Sequence, residues 1–246
     1  MHGVTKIVWF LLITNLVTLV LLGYVLYHFR VPQKAFQRIV VEQRIPLITP
    51  KYEINRSYSS MRELQASYAR SMTDTLVVGD SLVSEASWQE LLASPHVAGR
   101  GIAGDTTAGV LNRIEDYLGT NTRRLILWVG TNDVAQIVDK VETVRNIELV
   151  LMRIERENIR VAIIECLPVA AWIENAEARN RQIFEINSAI AKLSARYKAT
   201  IIKVSDSLSN EIGNLRPEMT RDGIHLNSAG YAVVSDRTLP FIDEQR

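Results

Sequence analysis

After Thr73 the chain alternates between two kinds of pattern, and this alternation limits the folds open to it. Short apolar runs lie at Leu76–Gly79, Val97–Ile102, Arg124–Val129, Arg160–Leu167 and Thr200–Val204. Between them come stretches with helical periodicity: Glu85–Ala93, Thr106–Leu118, Val138–Glu157 and Ala176–Tyr197. The third is the most regular, with Val141, Val144, Ile147, Leu151 and Ile154 on one face and charges opposite. A last helix is expected after Asn227, with Ser228 as its cap. Apolar runs without alternation fit strands covered on both faces, and helical crossovers between such strands make them parallel. The expected fold is therefore α/β: a five-stranded parallel sheet in a three-layer, doubly wound domain. In such a domain the site lies at the carboxyl ends of the strands.

Four stretches fall at those ends. In Thr75-Leu-Val-Val-Gly-Asp-Ser-Leu82 the first run stops at Gly79, whose conformational freedom permits a sharp turn, and Ser81 follows where a helix should start. Arg100-Gly-Ile-Ala-Gly-Asp-Thr-Thr107 places Gly104 in a turn, with a backbone N–H unobstructed by a side chain. Leu127-Trp-Val-Gly-Thr-Asn-Asp133 ends on Asn132, whose amide is a second candidate donor. In Arg221-Asp-Gly-Ile-His225 one turn of loop can bring the Asp222 carboxylate to the His225 ring and fix its tautomer. Taken singly, each has a plainer account: a helix cap, two strand-to-helix turns and a helix-entry loop. Together they supply a nucleophile (Ser81), a base (His225), its orienting acid (Asp222) and an oxyanion hole (Ser81, Gly104, Asn132).

The blocks Gly79-Asp-Ser-Leu82, Gly104 within Gly-Ile-Ala-Gly-Asp-Thr, Gly130-Thr-Asn-Asp133 and Asp222-Gly-Ile-His225 resemble, in order and spacing, those of the SGNH (or GDSL) hydrolases. The resemblance covers about residues 73 to 243 and is nearest to the lysophospholipase and platelet-activating-factor acetylhydrolase-like branch. It implies a flavodoxin-like sheet, no cofactor, and esterase, lipase or acyltransferase chemistry on an acyl-ester substrate, a lipid or an acylated sugar. Hydrolysis leads. Transfer of the acyl group to another hydroxyl uses the same triad, and a non-catalytic module that holds an acylated glycan is the alternative from another class. Segment Pro168–Arg181 is a candidate pocket wall, with Trp172 and Ile173 open either to an acyl chain or to helix packing.

Residues Ile7–Tyr27 obey different rules. Seventeen of these 21 are apolar and none is charged, and as a helix they would span about 30 Å, the thickness of a bilayer core. The bulky Tyr27-His-Phe-Arg30 replaces the small-residue site of a cleaved signal peptide, so an uncleaved anchor is expected. A stem from Arg30 to Met72 follows, with net charge +5, against −5 for residues 73–246. Its basic residues suit anionic headgroups or a solvated linker equally, and Arg56–Met72 has helical spacing. The expected organisation is thus an anchor (1–29), a basic stem (30–72) and a catalytic domain (73–246). Counted literally, the stem's charges place that domain in the cytoplasm. The short tail with Lys6 before the apolar segment fits the opposite topology, N-terminus in and catalytic domain out. The second is the expectation, with a periplasmic location in a Gram-negative cell.

The remaining composition excludes more than it suggests. With its single cysteine, Cys166 in an apolar run, the chain has no internal disulfide and no cysteine-based zinc site. The other histidines (His2, His28, His96) form no cluster with His225, so no metal is expected. A formal net charge of +1 without a Gly-Lys-Ser/Thr loop gives no sign of nucleic-acid or nucleotide binding.

Overall fold

The computed structural model of the chain describes residues 57–68, 73–118 and 121–243. The expected anchor, and the stem up to residue 56, lie outside them. Among the described residues no helix is long and apolar enough to cross a membrane.

Five strands form one sheet: β1 (Thr75–Gly79), β2 (Val97–Gly101), β3 (Arg124–Trp128), β4 (Arg160–Ile164) and β5 (Thr200–Ile202). Their order is β2-β1-β3-β4-β5 and every pairing is parallel. That is the flavodoxin-type order, with its crevice outside the carboxyl ends at the switch point between β1 and β3. The central strands β1 and β3 are buried on both faces, as their unbroken apolar runs require, while the edge strand β5 begins at an exposed Thr200. Val77, Ile126 and Ala162 stand in register across the sheet and pack with Trp88, Val234, Phe241 and Ile242 on one side. Leu76, Val78, Leu125, Leu127 and Ile163 alternate with them and are equally buried.

The helical elements are α1 (Tyr58–Ser67), α2 (Ser81–Ser84), α3 (Trp88–Leu91), α4 (Thr107–Arg113), α5 (Thr131–Ala135), α6 (Lys140–Ile154), α7 (Ala176–Tyr197), α8 (Ser205–Leu208) and α9 (Ser228–Asp243). α1 falls within the helical spacing of Arg56–Met72 and packs on the domain as its first helix. Gln65 is buried and donates to the Gly101 carbonyl at 2.8 Å, and the Tyr58 hydroxyl donates to Gly109 O at 2.8 Å. It belongs to the same compact unit as the strands.

Three local expectations are corrected. The helix expected over Glu85–Ala93 is only the single turn of α3 (Trp88–Leu91), because α2 ends at Ser84 and a non-helical stretch through Ser87 separates the two. Val141 does not join the buried face of α6. It is 69% exposed in the first turn, where the Asp139 carboxylate caps its N–H at 2.7 Å, and the buried face is Thr143, Ile147, Val150, Leu151 and Ile154. The cap of α9 is Asn227 rather than Ser228: Asn227 Oδ1 accepts from Gly230 N–H at 3.0 Å.

Candidate active site

β1 carries the chain straight to the site. Gly79 is its last residue, and it does not adopt a left-handed conformation. The expectation of a glycine turn is replaced by close packing, since a Cβ there would lie 1.9 Å from the Trp128 carbonyl oxygen. Asp80 then caps α2, its Oδ1 accepting from Leu82 N–H at 3.0 Å, and Ser81 becomes the first helical residue. Tyr231 of α9 donates to Leu82 O at 2.8 Å and fixes this turn from outside.

The loop that carries Asp222 and His225 is as tightly built. Asp222 Oδ1 accepts from the N–H groups of Ile224 (2.9 Å) and His225 (2.7 Å), while Oδ2 meets His225 Nδ1 at 2.7 Å. Thr220 donates its hydroxyl to His225 O at 2.6 Å. Gly223, at the apex, has φ of +92°, and its carbonyl accepts from Ala170 N–H at 2.8 Å. A side chain at Gly223 would be strained, and its Cβ would come within 2.9 Å of Trp172 Nε1 and Ile173 Cδ1. The segment after β4 therefore supports the loop. Trp172 precedes α7 rather than lying in it and remains 57% exposed.

These two constructions bring His225 Nε2 to 3.0 Å from Ser81 Oγ. Ser81, His225 and Asp222 thus form one hydrogen-bonded line from residues up to 144 apart in sequence. Burial pushes the Asp222 carboxyl upward, but hydrogen bonds from the His225 backbone and ring and from Ile224 outweigh it, and the group is held down to about 2. It is ionised throughout the neutral range and can fix His225 with Nδ1 protonated and Nε2 facing the serine.

The other two expected oxyanion groups follow the ends of β2 and β3. Gly104 lies in an exposed turn that is tied to β1 by Ile102 N–H donating to Gly79 O at 3.0 Å. Asn132, in the first turn of α5, donates one amide hydrogen to Asp105 O at 2.9 Å, which anchors its side chain to the residue after Gly104. Its second amide hydrogen remains available. Cys166 is buried beneath Gly130, with Sγ donating to Val129 O at 3.2 Å, and burial pushes its thiol pKa up. It is a packing residue.

Sequence reasoning did not find two charged neighbours of the line. Glu85, one turn after Ser81, places Oε1 3.9 Å from His225 Nε2, and Arg221 Nη2 donates to that same oxygen at 2.7 Å. The four-residue step from Ser81 to Glu85 was the one available signal; nothing local pointed to Arg221. A buried layer beneath the site was also missed. Arg113 bridges Asp105 (2.8 Å), Gly79 O (2.8 Å) and Arg100 O (2.9 Å). Among the described residues, no cluster of histidine, cysteine, aspartate or glutamate could hold a metal ion.

Comparison with known proteins agrees with this fold. The GDSL-like Lipase/Acylhydrolase family model matches residues 67–233. The human platelet-activating factor acetylhydrolase IB subunit alpha1 is 26% identical over 167 residues, covering 65% of this chain and 71% of that one. A GDSL-like lipase from Bacteroides thetaiotaomicron superposes with a TM-score of 0.67 at 22% identity, covering 76% of this chain and 97% of its own. An acetylxylan esterase from Geobacillus stearothermophilus superposes with a TM-score of 0.60 at 14% identity, covering 70% and 94%. At those identities the two structures speak for the fold. The family match spans Ser81, Gly104, Asn132, Asp222 and His225, and the chain belongs to the GDSL-like lipase/acylhydrolase family.

Proposed function

We propose that the protein is a membrane-anchored serine ester hydrolase that cleaves acyl esters of lipids or acylated glycans. The observation that carries this reading is the 3.0 Å contact between Ser81 Oγ and His225 Nε2, with Nδ1 of the same ring on an ionised Asp222. Ser81 Oγ attacks the ester carbonyl as its proton passes to Nε2. The oxyanion that forms is held by the N–H groups of Ser81 and Gly104 and by Asn132 Nδ2. The imidazolium then protonates the departing alcohol, and water, deprotonated by Nε2, releases the acid and restores Ser81. No step calls for a cofactor.

The similarity to a protein named as an acetylhydrolase favours a short acyl group. The apolar segment Ile7–Tyr27 supports the anchor, and the short N-terminal tail with Lys6 supports a catalytic domain outside the membrane, in the periplasm of a Gram-negative cell. The test is turnover of matched acetyl and long-chain esters, on lipid and on sugar alcohols, by the intact chain in detergent and by its Ser81→Ala variant. Acid release by the intact chain alone, fastest on acetyl esters, is the expected outcome. Equal release by both proteins would remove the serine mechanism. An active alkaline phosphatase fused to the C-terminus would support the outward domain, and an inactive one would place Ser81 in the cytoplasm.

A further inference from the structure

The triad explains how an acyl group reaches Ser81, but it is indifferent to what removes it. Water and an alcohol both need only one proton taken by His225. The charged pair beside the triad is not indifferent. Glu85 Oε1 stands 3.9 Å from His225 Nε2, on the side of the ring that faces Ser81. Its backbone N–H donates to Ser81 O at 3.0 Å, so Glu85 is fixed one helical turn from the nucleophile. Its side chain is 28% exposed and is held by Arg221 Nη2 at 2.7 Å, from the residue just before Asp222. Glu85 Oε1 and the ring nitrogen are thus located by the two elements that carry the triad.

We infer that Glu85, held by Arg221, positions the hydrolytic water and so biases the enzyme toward hydrolysis over acyl transfer. This rests on the hydrolase reading above. Once Ser81 Oγ is acylated it has no proton to donate, and Nε2 is free to accept one from an incoming molecule. A water that donates two hydrogen bonds of about 2.8 Å at a near-tetrahedral angle spans acceptors about 4.4 Å apart. The separation of Nε2 and Oε1, 3.9 Å, is close to that span. Water therefore satisfies both acceptors at once. Its oxygen bonds to the acyl carbon as one proton passes to Nε2 and the other stays hydrogen-bonded to Oε1. When the intermediate collapses, the acyl–Oγ bond breaks and the Nε2 proton returns to Oγ. A simple alcohol has a single hydroxyl proton. If that proton goes to Nε2, the alkyl group takes the place of the second one and strips water from the Glu85 carboxylate without replacing it. Arg221 neutralises Glu85 and stops it from swinging onto the ring.

A clasp between two loops would use the same ion pair, so the test must separate positioning from support. A p-nitrophenyl ester of a short acid reports acylation through its chromophore burst, because this leaving group departs without protonation. With a fixed concentration of methanol present, the ratio of methyl ester to free acid reports the choice of acceptor. In Glu85→Ala this ratio should rise about fivefold or more, the scale of one lost hydrogen bond, while the burst rate stays within about twofold of the parent. Glu85→Gln, which keeps the shape and an accepting oxygen, should raise the ratio less and guards against a folding defect in the alanine variant. An unchanged ratio in both variants, with acylation and deacylation falling together, would make the pair a clasp and overturn the inference. Failure of the parent chain to release acid from any ester would overturn the hydrolase reading itself and the inference with it.

Discussion

Arg113 and Asp105 meet at 2.8 Å with neither side chain exposed, and the same guanidinium donates to the carbonyls of Gly79 and Arg100. One buried cation thus ties the end of β1, which leads to Ser81, to β2 and to the turn that bears Gly104. Tyr117 and Gln65 complete its surroundings, so α1 is joined to the same network.

Arg113→Leu removes the cation paired with Asp105 and leaves a buried carboxylate uncompensated. Its expected cost is about 3–5 kcal/mol in urea unfolding. Adding Asp105→Asn should recover part of that loss. A cost below about 1 kcal/mol for Arg113→Leu would contradict the role given to the pair.

How much of this was legible depends on distance along the chain. The blocks around Ser81, Gly104, Asn132 and Asp222–His225 were visible because each is a local signal: a strand end followed by a turn and a polar residue. Strand positions followed from apolar runs for the same reason. Arg113 gave no signal, since an arginine in a helical pattern reads as surface and its partners Gly79 and Arg100 come from other segments. The Glu85–Arg221 pair joins residues 136 apart, which no periodicity reveals. Val141 was misplaced because apolar spacing cannot tell the first turn of α6, held by its Asp139 cap, from the turns packed on the sheet.

Asp80 should make stability depend on pH. Burial pushes its carboxyl up to about 7, helped by the charges of Asp105 and Asp133 and opposed by Leu82 N–H and Arg113. Its Oδ2 is buried without a hydrogen-bond partner. A carboxyl raised from 3.8 holds its proton more tightly in the folded state. Its contribution is therefore present in full below about pH 4 and is lost as pH rises through about 7. Asp80→Asn keeps the Oδ1 cap and carries no charge. Relative to the parent it should gain on the order of 3 kcal/mol of stability between pH 4 and pH 8. Urea titrations at the two pH values check this, and parallel pH profiles would contradict it.

Gly223→Ala should damage the loop that aligns His225. The added Cβ meets Trp172 and Ile173, and φ of +92° strains any side chain. Stability should fall by about 1–3 kcal/mol and kcat/KM by about tenfold or more. Trp172→Ala added to it should relieve one of the two contacts but neither the Ile173 contact nor the strain, leaving most of the kinetic defect in steady-state assays.

Asn132→Ala removes an amide whose anchoring bond to Asp105 O directs it beside Gly104. Loss of an oxyanion donor should lower kcat by about a hundredfold or more and leave KM nearly unchanged. A change confined to KM would mean that Asn132 holds substrate in the ground state.

The account turns on Ser81 being a nucleophile activated by His225, and a fluorophosphonate probe reads that directly. Peptide mapping of the labelled chain should find the adduct on Ser81. The label should be absent from Ser81→Ala and acquired far more slowly by His225→Ala. In matched ester assays each single variant should lose about a thousandfold or more, and the double variant little beyond that, because the two side chains act as one unit. An adduct on a different residue, or a Ser81→Ala variant that labels and turns over like the parent, would contradict it.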